Sequence, residues 1–154
     1  MLLQLKRVFE EPGQSAEIDT SLSVAELEEQ RPYETFAAPL TIKGAVRNRA
    51  GVVTLSMTVS AVMEHTCDRC LKAFEREYVH DFTHTLVKAF ANGEDEEEGY
   101  EDYVVCPDNT LEIGELALTD LSLEMPSKIL CKEDCKGLCP KCGKDLNEGG
   151  CGCE

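Results

Sequence analysis

The chain has 154 residues, 42% of them apolar, and 15 Lys and Arg stand against 30 Asp and Glu, for a net charge of -15. That length suits one domain, or one domain and a small appendage, with a modest core of its own. No apolar run approaches the roughly 20 residues that cross a bilayer, and MLLQLKRVFEEPG lacks the apolar stretch of a signal peptide, so a cytoplasmic protein without membrane contact is expected.

Leu2, Leu3 and Leu5 suggest an opening strand. Ser23 and Glu26 have capping-box spacing, with Ser23 as N-cap of a short helix that Pro32 cuts off. Leu40, Ile42 and Val46 alternate with polar neighbours, and Val53, Leu55, Met57, Val59, Ala61 and Met63 do so more cleanly. A period of two marks half-buried strands, and Asn48 to Gly51 between them reads as a hairpin turn. A third strand follows, with Phe74, Tyr78, Phe82 and Leu86 on one face beside Arg76, His80 and His84. Antiparallel pairing tolerates one wet face, which favours a meander. Tyr103 to Val105 is a candidate short strand, and Ile113, Leu116, Ala117, Leu121 and Met125 follow helical spacing up to Pro126. The expected fold is α+β: an antiparallel β meander or partial barrel, one or two packed helices, and a Cys-rich tail. The expected division is a domain over 1–130 and a tail over 131–154.

Charge divides unevenly along this frame. Residues 1–90 carry 10 basic and 13 acidic residues, residues 91–125 carry no base and 12 acids, and residues 126–154 carry five of each. The acidity centres on GEDEEEGYED, residues 93–102. Such a run reads as a solvated loop, or as a docking face for a basic partner such as a ribosomal protein. It cannot itself grip phosphate, which needs Lys and Arg.

Eight of the nine cysteines come in close pairs: Cys67/Cys70, Cys131/Cys135, Cys139/Cys142 and Cys151/Cys153. In a reducing compartment this points to metal before disulfides. Two residues between thiolates let one turn present both sulfurs to one ion. Gly143, directly after Cys142, suits such a turn because glycine tolerates positive φ. Four pairs make two four-thiolate zinc sites. Cys139, Cys142, Cys151 and Cys153 are local to one another, and Cys67 and Cys70 are left to meet Cys131 and Cys135. The count alone also allows a single ion, or an exchange of Cys131 or Cys135 into the tail site. His65, two residues before Cys67, is a further candidate ligand, whereas His80 and His84 read as interior-edge or surface residues. Cys106 reads as a small buried residue beside a strand.

Other chemistries use the same thiols. Cys135-x3-Cys139-x2-Cys142 has radical SAM spacing, but the chain cannot supply the large barrel such enzymes need. A plain iron–sulfur carrier is open, because cysteine spacing does not fix the metal. A dithiol redox role for Cys67/Cys70 lacks the following helix. The sequence holds no Ser/His/Asp set and no phosphate-cradling glycine loop. Asp120 and Glu124 read as solvated or partnered side chains rather than catalytic ones. Arg47 and Arg49 flank the hairpin turn, Arg69 and Lys72 border the first cysteine pair, and Lys132, Lys136, Lys141 and Lys144 stud the tail. Arg69, Lys72, Lys136 and Lys141 are candidate RNA contacts, or else they offset the charge of the thiolate centres.

CDRCLKAF at 67–74 and MPSKILCKEDCKGLCPKCGKDLNEGGCGC at 125–153 resemble the YceD family. The resemblance implies a ribosome-biogenesis role supporting synthesis, processing or accumulation of 23S ribosomal RNA, with no established catalytic residue. It also implies that the Cys67/Cys70 and Cys131/Cys135 site is the general one and the last four cysteines an addition. The expected protein is therefore a non-catalytic assembly factor folded around one or two structural zinc ions, acting on precursor ribosomal RNA or on a basic protein partner. The contrasting expectation is a thiol- or iron–sulfur-dependent redox protein.

Overall fold

A computed structural model describes residues 2–88 and 103–153; the acidic run at 93–102 lies outside them. The chain begins with strand β1 (Leu2–Gln4), helix α1 (Lys6–Glu10), strand β2 (Ser15–Leu22), helix α2 (Val24–Gln30) and strand β3 (Thr35–Phe36). Strands β4 (Leu40–Arg49), β5 (Val52–Thr66), β6 (Ala73–Val87), β7 (Tyr103–Val105) and β8 (Thr110–Glu112) follow, then helix α3 (Ile113–Glu124). The main sheet runs β2-β4-β5-β6-β7, with β3 on β5, and β1 pairs with β8 in a separate two-stranded ribbon.

The hairpin forms where period-two patterning places it. Asn48 and Arg49 belong to β4, however, so the turn is Ala50–Gly51, narrower than Asn48 to Gly51. Both turn residues have positive φ, 53° and 89°, as a two-residue turn matched to strand twist requires. Asn48 is buried: its amide donates to the Val8 carbonyl at 2.7 Å and accepts from Gly51 N–H at 3.0 Å, so it ties α1 to the turn. Ser23 caps α2 with a complete capping box, its hydroxyl accepting from Glu26 N–H at 3.3 Å.

The inner face of β4 and β5 (Leu40, Ile42, Val46, Val53, Leu55, Met57, Val59, Ala61, Met63) packs with Ile113, Ala117, Leu118 and Leu121 of α3 into one core. Leu116 and Met125 pack only at its margin. Two expectations need correction. The sheet is open, not a partial barrel. It is also not wholly antiparallel, because β7 pairs with β6 in parallel. Strand β2 and helix α1 were not expected. Asp120 of α3 is buried and its carboxylate lies 2.6 Å from His84 Nε2 of β6. It is thus partnered, and His84 is an interface residue between sheet and helix. Among the described residues no helix is long and apolar enough to cross a membrane.

Candidate metal centres

The first centre grows from the turn between β5 and β6. Cys67 N–H donates to the Lys72 carbonyl at 2.9 Å and Leu71 N–H to the Cys67 carbonyl at 3.0 Å, closing a tight loop. Leu71, directly after Cys70, has φ 61°. This is the left-handed position that a knuckle between two thiolates demands, occupied here by a side chain at a steric cost. The segment after α3 then lies across this turn. Asp68 N–H donates to the Ile129 carbonyl at 2.8 Å, and Ile129 N–H returns to the Asp68 carboxylate at 2.7 Å. Arg76 donates to the Leu130 carbonyl at 2.6 Å, and Arg69 donates to the Cys135 carbonyl at 2.8 Å. Phe74, Leu130 and Leu138 pack around the cysteines as a small second core.

These tethers bring Cys67 Sγ to 3.6 Å from Cys135 Sγ, and Cys70 Sγ to 3.7 Å from Cys131 Sγ. All four sulfurs lie within 4.8 Å of one another. A tetrahedron with metal–sulfur bonds of about 2.3 Å has edges of about 3.8 Å, so the set fits a single four-coordinate ion. Multi-iron clusters spread their thiolates over different irons, a wider arrangement than this one. The cysteines are free thiols, not disulfides.

The second centre is local. Cys139 N–H donates to the Lys144 carbonyl and Gly143 N–H to the Cys139 carbonyl, both at 2.8 Å, with Gly143 at φ 76° as its position after Cys142 requires. A one-turn 3-10 helix, Leu146–Glu148, turns the chain back toward Cys151 and Cys153. The sulfurs of Cys139, Cys142, Cys151 and Cys153 again lie within 4.8 Å of one another. Backbone N–H groups aim at them: Lys141 at Cys139 and Cys153 at Cys151, each at 3.4 Å. Cys142 and Cys153 are exposed, whereas Cys67, Cys70 and Cys135 of the first centre are buried.

The thiols are electrostatically graded. Burial disfavours the Cys67 thiolate, but N–H groups of Cys70, Cys131 and Arg69 outweigh it and bring the group down to about 6. The Asn147 amide, 3.3 Å from Cys135 Sγ, lowers that thiol. Burial and then the neighbouring thiols push Cys131 up to about 12. The Lys72 N–H favours the Cys70 thiolate, but burial and the surrounding sulfurs raise the group on balance. In the second centre, N–H groups of Cys142 and Lys141 lower Cys139 to about 6. Two lowered and two raised thiols in one pocket form a donor set that a divalent cation would complete by displacing the protons that remain.

The structure therefore brings together all eight paired cysteines in two sets of four. It does not bring in His65, whose Nε2 is 2.8 Å from the Tyr78 hydroxyl and whose ring packs on Phe74 and Tyr78. Cys106 stands apart, fully buried, its thiol raised by that burial. Of the candidate RNA contacts, Arg69 is engaged across the first centre, while Lys72, Lys136 and Lys141 are exposed. Residues not singled out from the sequence also build the site: Asp68, Arg76 and Asn147. Asn147 sits in the second centre's loop yet donates to Cys135 of the first and accepts from Lys136 N–H at 2.9 Å, so one side chain links the two.

The family described as "Large ribosomal RNA subunit accumulation protein YceD" matches residues 55–154. The chain is 27% identical to the uncharacterized protein YlbN of Bacillus subtilis over 135 residues, 87% of this chain and 76% of that protein. It is 28% identical over 148 residues to an uncharacterized protein of Mycobacterium tuberculosis, covering 95% of this chain and 70% of the relative. No solved structure matches.

Proposed function

The chain belongs to the YceD family, the large ribosomal RNA subunit accumulation proteins, and from that premise we propose that it is a non-catalytic factor supporting synthesis, processing or accumulation of 23S ribosomal RNA in the cytoplasm, folded around structural zinc. The observation that carries this reading is that the matched stretch, 55–154, holds both four-cysteine sets. Four cysteine ligands fill a tetrahedral zinc and leave no open position for water or substrate, as a structural site requires and a hydrolytic one does not allow. Zinc fits better than magnesium or calcium because the donors are all soft thiolates.

In this reading the metal centres hold the tail, 131–154, against the end of the β5–β6 hairpin. Lys72, Lys136 and Lys141 around them, with the remaining guanidinium N–H groups of Arg69, face precursor RNA. The acidic stretch, 93–102, faces a basic ribosomal protein or nuclease. The test is a strain depleted of the protein, in which 23S RNA and large subunits should fall relative to 16S RNA and small subunits. Unchanged 23S RNA and a normal subunit profile would refute the proposal.

A further inference from the structure

The outer face of the sheet carries a feature the metal centres do not use. Between Glu34 and Glu64 this strongly acidic chain holds no Asp or Glu, but it does hold Lys43, Arg47 and Arg49. All three lie at odd positions of β4, the face turned away from the core, and all are exposed. They line an open groove of about 780 Å³ together with Thr54 and Ser56 of β5 and Glu17 and Asp19 of β2. Among the described residues, none of the three cations makes an ion pair, although Lys43 is the direct cross-strand neighbour of Asp19. Arg47 and Arg49, two residues apart on one strand, repel each other, and an anion over them would relieve that repulsion.

The neighbouring positions are small hydroxyls. Arg47 pairs across to Thr54 and then Thr85, Lys43 to Thr58, and Ser56 to Thr83. Thr58 is committed to Asp81, at 2.6 Å. Arg47 and Arg49 are about 6.7 Å apart along the strand and Lys43 lies about 13 Å from Arg47, comparable to one and two phosphate steps on a nucleic-acid strand. Hydroxyls beside them donate to phosphate oxygens and meet the 2′-hydroxyl of ribose. Carboxylates flank the cationic strip, Glu17 and Asp19 from β2 and Asp81 from β6, and repel phosphate onto β4.

We propose that this groove is a docking surface for the phosphodiester backbone of RNA, through Lys43, Arg47 and Arg49. It rests on the preceding section only for the choice of RNA as the polyanion. The contacts are to backbone, so affinity is salt-dependent and weakly sequence-dependent.

The test uses the full zinc-loaded chain and fluorescein-labelled single-stranded RNA, read by anisotropy across a salt series. The variant is Lys43→Ala/Arg47→Ala/Arg49→Ala. Its exposed positions leave the core untouched, and its zinc content and thermal unfolding are checked against the unsubstituted chain. Affinity should fall at least tenfold, and the slope of log K against log salt should shrink by about 2, three contacts at about 0.7 each. Unchanged affinity and slope would overturn the proposal. So would poly-glutamate competing as well as unlabelled RNA, which would make the groove a site for acidic protein. Complementation of a depleted strain separates the two readings. If depletion lowers 23S RNA but the triple variant both binds RNA normally and restores it, only the groove is refuted. If depletion leaves 23S RNA unchanged, the functional proposal fails whatever the groove binds.

Discussion

Serine in place of Cys135 isolates the first metal centre. The change removes one ligand, 3.6 Å from Cys67 Sγ, and the acceptor of the Asn147 amide. It leaves the four cysteines of the second centre intact. Zinc content should fall from two ions per chain to one. An ion bound only to the ordered segment stabilises it by RT ln(1 + [Zn]/Kd), about 2.7 kcal/mol when free zinc is 100-fold above Kd. Losing that protection raises local opening by about 100-fold, since about 1.4 kcal/mol is a factor of ten. The amides of Cys67, Asp68, Leu71 and Cys135, whose hydrogen bonds build the turn and its cross-link to the tail, should exchange about 100-fold faster. Amides of the β4–β5 ladder, which belong to the other core, should keep their rates. The tethers from Arg69 and Arg76 limit the effect, each a hydrogen bond from a charged donor of about 1.5–3 kcal/mol. Elemental analysis and hydrogen-exchange mass spectrometry read both quantities. Two zinc ions in the variant, or none in a folded unsubstituted chain, would refute the reasoning, as would equal loss of protection in the hairpin.

Gly44→Ala should destabilise the sheet by about 3 kcal/mol or more in urea unfolding, because a Cβ there would lie 2.0 Å from the Ser56 carbonyl oxygen and 2.7 Å from Met57 Cα, both backbone atoms that cannot step aside. A cost under about 0.5 kcal/mol would contradict the strand approach described. Asp120→Ala removes the buried partner of His84 and should cost about 1–3 kcal/mol by the same assay, with the zinc content unchanged. Zinc loading should also be pH-dependent. With Cys70 raised and Cys131 at about 12, these two thiols of the metal-free protein hold protons at pH 7. Loading must expel at least these two protons, so log affinity should rise by about 2 or more per pH unit around neutrality. As pH falls through about 6, Cys67 and Cys139 take up protons too and affinity should drop more steeply. Calorimetry in buffers of different ionisation enthalpy counts the protons, and none released at pH 7 would contradict the grading.

The hairpin, the third strand, α2 and α3 were legible because their cause is local. Alternation over Val53 to Met63 and a capping box at Ser23 act within a few residues. Strand β2 was not, although Ala16, Ile18, Thr20 and Leu22 do alternate. Glu17 and Asp19 fill its outer face, and residues disfavoured in strands obscure a pattern with only two large apolar side chains. The parallel pairing of β7 concerns only Tyr103 to Val105 and comes from tertiary placement, which no local pattern encodes. At the metal centres, spacing grouped the cysteines as the folded chain juxtaposes them. It could not reveal Asn147, since an asparagine in a glycine-rich loop has no periodicity and acquires its role only when Cys135 is brought beside it.

The two centres constrain the chain on different scales. An ion shared by Cys67 and Cys135 joins residues 68 apart in sequence, and the Cys70–Cys131 contact spans 61. The loop so closed contains β6, β7, β8 and α3. The second centre closes only 14 residues, from Cys139 to Cys153. Closure entropy grows as (3/2)RT ln n, so the larger loop costs about 1.4 kcal/mol more to close, the difference between n of 68 and 14. That cost is met in advance. The β5–β6 pairing already fixes Cys67 and Cys70 at a hairpin end, and the core already fixes α3, whose C-terminus lies seven residues before Cys131. An ion at the first site would therefore enter a pocket the domain has largely assembled. An ion at the second site would have to order a segment whose larger aliphatics are few, with the Asn147 amide tying that segment to Cys135 of the first. Loading of the exposed second site should therefore depend on the domain more than the domain depends on it, so Cys135→Ser should weaken zinc binding at the second site more than Cys151→Ser weakens it at the first.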